Sequence, residues 1–110
     1  MNAIQECNGW TNRETWATAL HLNNDQVLQE VALDYTRISV QDEQAIGVTA
    51  YALGEQLESW ITEDLLTLEN IAGNQGLFSM LTDIGSLYRV NWQEIAESFI
   101  SDVIENEKAS

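Results

Sequence analysis

The stretch Asn91-Trp-Gln-Glu-Ile-Ala-Glu-Ser-Phe-Ile-Ser-Asp-Val-Ile-Glu105 decides the fold class. Asn91 with Glu94 three residues later is a helix-start box, in which the side chain at its head accepts from a backbone N–H of the first turn. Behind it Trp92, Ile95, Ala96, Phe99, Ile100, Val103 and Ile104 recur at the spacing of one helical face. Glu94, Glu97, Asp102 and Glu105 fall on the side opposite that apolar stripe. An amphipathic helix this regular needs a core to lie against, and the rest of the chain supplies more of the same kind.

Working towards the N-terminus, Gly73-Asn-Gln-Gly76 is a turn signal, and it precedes a helix over about 77–87 that uses Leu77, Phe78, Leu81, Ile84 and Tyr88. Residues 63–75 are less regular. The longest helix is expected over about 41–62, headed by the cap Ser39-Val-Gln-Asp42, with Ile46, Ala50, Leu53, Leu57, Trp60 and Ile61 in one stripe. Gly47 and Gly54 lie at the edge of that stripe, where a glycine costs about 1 kcal/mol and is consistent with close approach of another helix. A further helix carries Val27, Leu28, Val31, Ala32, Tyr35 and Ile38 after a break at Asn23-Asn-Asp25. The first is expected over about 12–23, started by the box Thr11-Asn-Arg-Glu14, with Trp16 and Leu20 on its buried face and Trp10 closing over the cap. The sum is an all-α, compact single-domain bundle of about five helices spanning residues 1–110, with 1–9 and 107–110 frayed. Trp16, Trp60 and Trp92 belong to the core, and Trp10 is the tryptophan expected to be partly exposed.

Composition narrows the function classes. The chain carries 18 acidic residues against four basic ones and one His, a formal charge of −14. That balance argues against direct binding of nucleic acid or an anionic membrane, both of which are met through Lys/Arg clusters. Apolar residues make up 45% of the chain, too many for a disordered acidic tail, and proline is absent, which suits helices. The lone Cys7 implies no internal disulfide and fits a reducing cytoplasm; no signal peptide or membrane span is read.

Catalytic and cofactor patterns are missing. One Cys and one His cannot furnish a zinc set or a di-metal bundle, and no phosphate loop or dinucleotide fingerprint occurs. His21 with Asp25 one turn on is an ordinary helix-surface pair. No cofactor, metal or catalytic residue is assigned, and the chain is read as a non-enzyme.

Charge is uneven. Residues 38–110 hold thirteen acids and two basic residues, with no basic residue between Ile38 and Tyr88. The carboxylates Glu94, Glu97, Asp102 and Glu105, with Glu55, Glu58, Glu63 and Asp64 as a second patch, either form a solvated face or meet Lys/Arg on another protein, in the extreme as a nucleic-acid mimic. Tyr51 and Val48 point away from the apolar stripe of the longest helix. Tyr51 is either covered by a neighbouring helix or an exposed aromatic anchor beside Glu55, suited to an apolar contact and to a homodimer.

Gly9-Trp-Thr-Asn-Arg-Glu-Thr-Trp16, continuing Ala17-Thr-Ala-Leu-His-Leu-Asn-Asn-Asp25, resembles the opening signature of a family of small uncharacterised proteins of phages, plasmids and other mobile elements of bacteria and archaea, which typically begin Gly-Trp-x-Asn-Tyr-Glu-Thr-Trp. Val90-Asn-Trp-Gln-Glu-Ile-Ala96 resembles the closing signature of the same family. Arg13 stands where that family usually has Tyr, Ala17 where it often has Asn, and His21 where it often has Trp. The resemblance implies genomic company in which small acidic accessory proteins inhibit host defence, anti-restriction and anti-CRISPR proteins among them. The expected partner is a host protein with a basic groove, met in the cytoplasm of a bacterial or archaeal cell.

Overall fold

A computed structural model describes residues 9–41 and 46–109. Its elements run α1 (Arg13–Asn24), α2 (Gln26–Val40), α3 (Ile46–Ser59), a π-helical turn (Trp60–Leu65), α4 (Leu68–Ala72), α5 (Gln75–Ile84), a 3₁₀ turn (Leu87–Arg89) and α6 (Trp92–Ala109). The all-α class is as read, with no strand among the described residues; the five expected helices are present, and the short α4 is added to them. Cys7 and Asp42 lie outside the described residues, and Ile46, Gly47 and Val48 are described in backbone only. The ends expected to fray fall at 1–8 and 110 outside the described set, while the helical backbone runs on to Ala109.

Capping explains the boundaries. Asp25 accepts from Leu28 N and starts α2 at the expected break. Asn74 accepts from Leu77 N, and Asn91 accepts from Glu94 N, as the box at the head of α6 requires. The head of α1 differs from expectation. Asn12, not Thr11, is its N-cap, accepting from Thr15 N at 2.8 Å and from the Thr15 hydroxyl at 2.7 Å. Thr11 instead donates its backbone N–H to Glu94 Oε1 at 3.1 Å, and Asn12 Nδ2 donates to Arg89 O at 2.9 Å. Tertiary partners on the far end of the chain therefore select which of two good caps is used. Ser39 lies inside α2, which continues to Val40, so it does not start α3.

The core is built on α3 and α6. Ala50, Leu53, Leu57 and Ile61 face Ile95, Ala96, Phe99 and Ile100, all buried. Gly54 lets the two backbones touch: a Cβ there would stand 3.1 Å from Gln93 N and from the Trp92 carbonyl carbon. α2 adds Leu28 and Ala32, with Tyr35 tilted against Trp60 at 6.0 Å between ring centroids. α1 presents a different face from the one expected. Thr15, Thr18, Ala19 and Leu22 are buried, whereas Trp16 is half-buried and Leu20 is exposed. Small side chains allow α1 to nestle among α2, α5 and α6, and the buried hydroxyl of Thr18 is satisfied by Glu14 O at 2.9 Å. Trp92 is buried as expected, and Trp10 and Trp60, like Trp16, pack partly buried against the core. Val27 and Ile38, expected on the apolar stripe of α2, are exposed because they flank rather than centre it.

The expected single helix over 41–62 changes its winding at Trp60. Thr62 donates its hydroxyl to Glu58 O at 2.7 Å, competing for a backbone acceptor, and the next turns close as i to i+5, with Leu66 N donating to Ile61 O at 2.9 Å. The wider turn brings residues five apart onto one face, so Ile61 and Leu66 are both buried. α5 ends at Ile84, short of the expected 87, because Gly85 adopts φ 84°. The reversal leaves Tyr88 on the surface, and Phe78 is also exposed, although both were expected in the apolar stripe.

Candidate functional site

The charged surface is assembled from two elements. On α6, Glu97, Asp102 and Glu105 are exposed and Glu94 is half-buried, spread over an arc of roughly 140° at about 100° per residue. Glu94 and Glu97 share a polar cavity of about 340 Å³ with Thr11 and Asn91. Glu94 is already used by the N–H of Thr11, so one of the four carboxylates joins the cap of the fold rather than standing free. Asp102 and Glu105 lie further along the helix, outside that cavity.

The second patch is a strip along α3. Tyr51, Glu55 and Glu58 follow one another at i, i+4 and i+7 and are all exposed, with Tyr51 at 61%. Of the two readings of Tyr51, the exposed one holds. Glu58 and Thr62 line a cavity of about 520 Å³ with Gly85, Ser86, Leu87 and Tyr88, which brings the almost fully exposed Tyr88 ring to the end of the strip. Glu63 and Asp64 are exposed on the π turn, and Glu63 accepts from Ser59 Oγ at 3.0 Å.

The arginines do not neutralise either patch. Arg37 pairs with Asp34 at 3.2 Å, Arg89 with Glu14 at 3.7 Å and Arg13 with Asp83 at 3.2 Å. None of Arg13, His21, Arg37 and Arg89 pairs with Glu55, Glu58, Glu63, Asp64, Glu97, Asp102 or Glu105. Repulsion within each patch is therefore left to solvent and salt.

A third cluster was not anticipated. His21 Nε2 lies 2.9 Å from Asp83 Oδ2, and Arg13 reaches Asp83 Oδ1, so both α1 side chains hold one α5 carboxylate. The His21–Asp25 pair expected from spacing is not formed; Asp25 is occupied as the cap of α2. Contacts across 62 and 70 residues carry no signal at helical spacing. The one clue in the chain is that Arg13 and His21 are two of the three departures from the resembled signature, and they converge on the same partner. Exposure of about half at Asp83 limits the strength of these pairs. Asp83→Ala is expected to lower stability by less than about 1 kcal/mol in urea melts, because Arg13 still donates to the Ile84 carbonyl.

Among the described residues no group of three or more His, Cys, Asp or Glu side chains is placed to hold a metal, and no helix is long and apolar enough to cross a membrane. No curated protein and no solved structure matches the chain. The profile of a family of unknown function, DUF7249, matches residues 3–108.

Proposed function

The chain belongs to DUF7249, and from its surface we propose that it is a non-enzymatic protein-binding factor of a phage or other mobile element. It inhibits a nucleic-acid-handling or defence complex of its host, of anti-CRISPR or anti-restriction type, by offering acidic helix faces to a basic groove. The observation that carries this reading is the charge arrangement: each arginine is engaged by a carboxylate outside the two patches, while Glu97, Asp102 and Glu105 on α6 and Glu55 and Glu58 on α3 stay exposed and pair with none of the arginines. Desolvated against Lys/Arg these carboxylates gain partners that the free protein lacks, and they steer a cationic groove from a distance.

A second reading, an interaction module with a homodimer among its forms, is favoured by Tyr51, an exposed aromatic on α3. Salt and substitution separate the two. The tagged protein is used to capture its partner from host lysate, and the captured pair is then titrated at about 0.05 and 0.5 M salt. Acidic mimicry predicts an affinity loss of at least about tenfold across that range, since screening shortens from over 10 Å to a few ångströms. The triple change Glu97→Lys, Asp102→Lys, Glu105→Lys reproduces that loss at low salt; Glu94 is left intact because it caps the fold. Binding that ignores both salt and the triple change, yet is lost on Tyr51→Ala, overturns mimicry in favour of the apolar module.

A further inference from the structure

The cleft of about 520 Å³ at the C-terminal end of the α3 strip draws its lining from two segments. Glu58 and Thr62 come from the last turn of α3 and the π turn behind it, and Gly85, Ser86, Leu87 and Tyr88 from the link between α5 and α6. The Gly85 backbone, at φ 84°, turns the chain out of α5 so that residues 86–88 meet Glu58 and Thr62 at the cleft.

Two of these side chains have no task in the fold. Tyr88 is 89% exposed, while its neighbours are used: Arg89 pairs with Glu14, and Val90 is buried. The Glu58 carboxylate is exposed and pairs with none of Arg13, His21, Arg37 and Arg89. Thr62 takes only the Glu58 backbone carbonyl, at 2.7 Å. Neither the Glu58 carboxylate nor the hydroxyls of Ser86 and Tyr88 make a hydrogen bond to another described residue. An exposed aromatic by itself is ordinary on a protein surface. One that shares a cleft with an unneutralised carboxylate is different, because ring face and anion attract the same group, a cation with a flat apolar surface. The arginines closest by do not line the cleft: Arg89 is held by Glu14, and Arg13 donates to the carbonyls of Asp83 and Ile84.

We propose that this cleft takes one arginine side chain of the partner protein. The inference names the group recognised at the α3 patch and rests on the protein-binding reading above. The guanidinium lies on the Tyr88 ring, gives N–H groups to the Glu58 carboxylate and keeps another for the Ser86 hydroxyl oxygen. Lysine, a compact and strongly hydrated point charge, meets the carboxylate but stacks poorly on the ring. A second copy of this chain is a poor donor, since Arg13, Arg37 and Arg89 are each already paired with a carboxylate and the copy brings a further charge of −14.

The test titrates the full chain at about 0.05 M salt with an end-blocked peptide, Gly-Ser-X-Ser-Gly, in which X is Arg, Lys or citrulline. The amide signals of residues 85–88 and the ring signals of Tyr88 report on the cleft. The Arg peptide is expected to bind with a Kd on the order of 1 mM, at least about tenfold tighter than the citrulline peptide, which keeps the shape and loses the charge. Its lead over the Lys peptide is about threefold. Glu58→Gln and Tyr88→Leu each weaken the Arg peptide about two- to fivefold, and together they abolish its lead over citrulline. Both positions are exposed, and unchanged circular dichroism and thermal melting establish that the variants fold. The triple α6 change leaves the lead within about twofold. Equal binding of Arg and citrulline, a Lys peptide that binds as tightly, shifts centred on α6, or indifference to both substitutions overturns the proposal. Free arginine that binds at least about tenfold tighter than the peptide also overturns it, by making the cleft an amino-acid site. The partner captured from lysate separates this inference from the reading beneath it. A partner released by the triple α6 change yet held unchanged by the Glu58→Gln, Tyr88→Leu protein keeps that reading and overturns the arginine cleft. An Arg-selective cleft with no salt-sensitive partner keeps the site and removes the reading.

Discussion

Gly54→Val is expected to lower the stability of the domain by about 3 kcal/mol, at the upper end of what overpacking costs. For a chain of this size that is a fall in melting temperature on the order of 10–20 °C. The neighbours of a Cβ at this position are Gln93 N, the Trp92 carbonyl carbon and Gln93 Cα, at 3.1, 3.1 and 3.2 Å. All three are backbone atoms at the start of a capped helix, so no side chain can swing away. α3 and α6 must part instead, and that loosens the seam between Leu53, Leu57, Ile95 and Ala96, each fully buried. Gly54→Ala should cost less, because the gain of about 1 kcal/mol in helix propensity offsets part of the clash. Gly73→Ala is the control: nothing lies within 4 Å of its Cβ, and a change within about 0.5 kcal/mol is expected. Thermal melts of the three variants read the order directly. A Gly54→Val protein that melts with the parent would mean the two helices do not approach this closely.

Thr15→Val is the second large effect, with a loss of about 1–3 kcal/mol expected from one unpaired polar group. Thr15 is fully buried. Its hydroxyl accepts from Asn91 N at 2.8 Å and donates to Asn12 Oδ1 at 2.7 Å, so one oxygen joins the cap of α1 to the cap of α6. Valine has nearly the same shape and leaves the Asn91 N–H without its acceptor. Thr15→Ser keeps the hydroxyl and loses one methyl, worth about 0.8 kcal/mol. The expected order in urea melts is therefore parent, Ser, Val. If bulk apolar packing governed the site the last two would exchange places.

The helices themselves were readable wherever periodicity and caps agreed. The α6 box, the break at Asp25 and the close packing at Gly54 all follow from residue type and spacing. Which face of a helix turns inward was readable only where one face is plainly more apolar. On α1 Leu20 pointed to the wrong face and Trp16 packs only at the edge of the buried one, because the crowded position among three helices suits Thr15, Thr18 and Ala19. Phe78 and Tyr88 looked like core for the same reason, and no local pattern shows that Gly85 turns the chain before Tyr88 can be covered. The exposed carboxylates of α3 and α6 lay where the helical wheel put them. Glu94 was the exception, since its tie to Thr11 spans 83 residues. Long-range pairs such as this one, or His21 with Asp83, arise from three-dimensional packing and leave no mark at a spacing of three or four.

The hydrogen bonds that lock the two caps together have a consequence for the birth of the protein. They join positions 76, 77 and 83 residues apart, so α1 is completed by residues that are made long after it. At roughly 5–20 residues per second of synthesis, Thr11, Asn12 and Thr15 wait on the order of several seconds before Glu94, Arg89 and Asn91 exist to pair with them. A nascent chain arrested before Asn91 lacks the N–H that the Thr15 hydroxyl oxygen accepts, and the surface that α6 will cover is open to whatever else is nearby. Closure of the domain is thus deferred until the start of α6 has been made, and the high sequence separation of its locking contacts slows folding relative to a bundle of purely neighbouring helices.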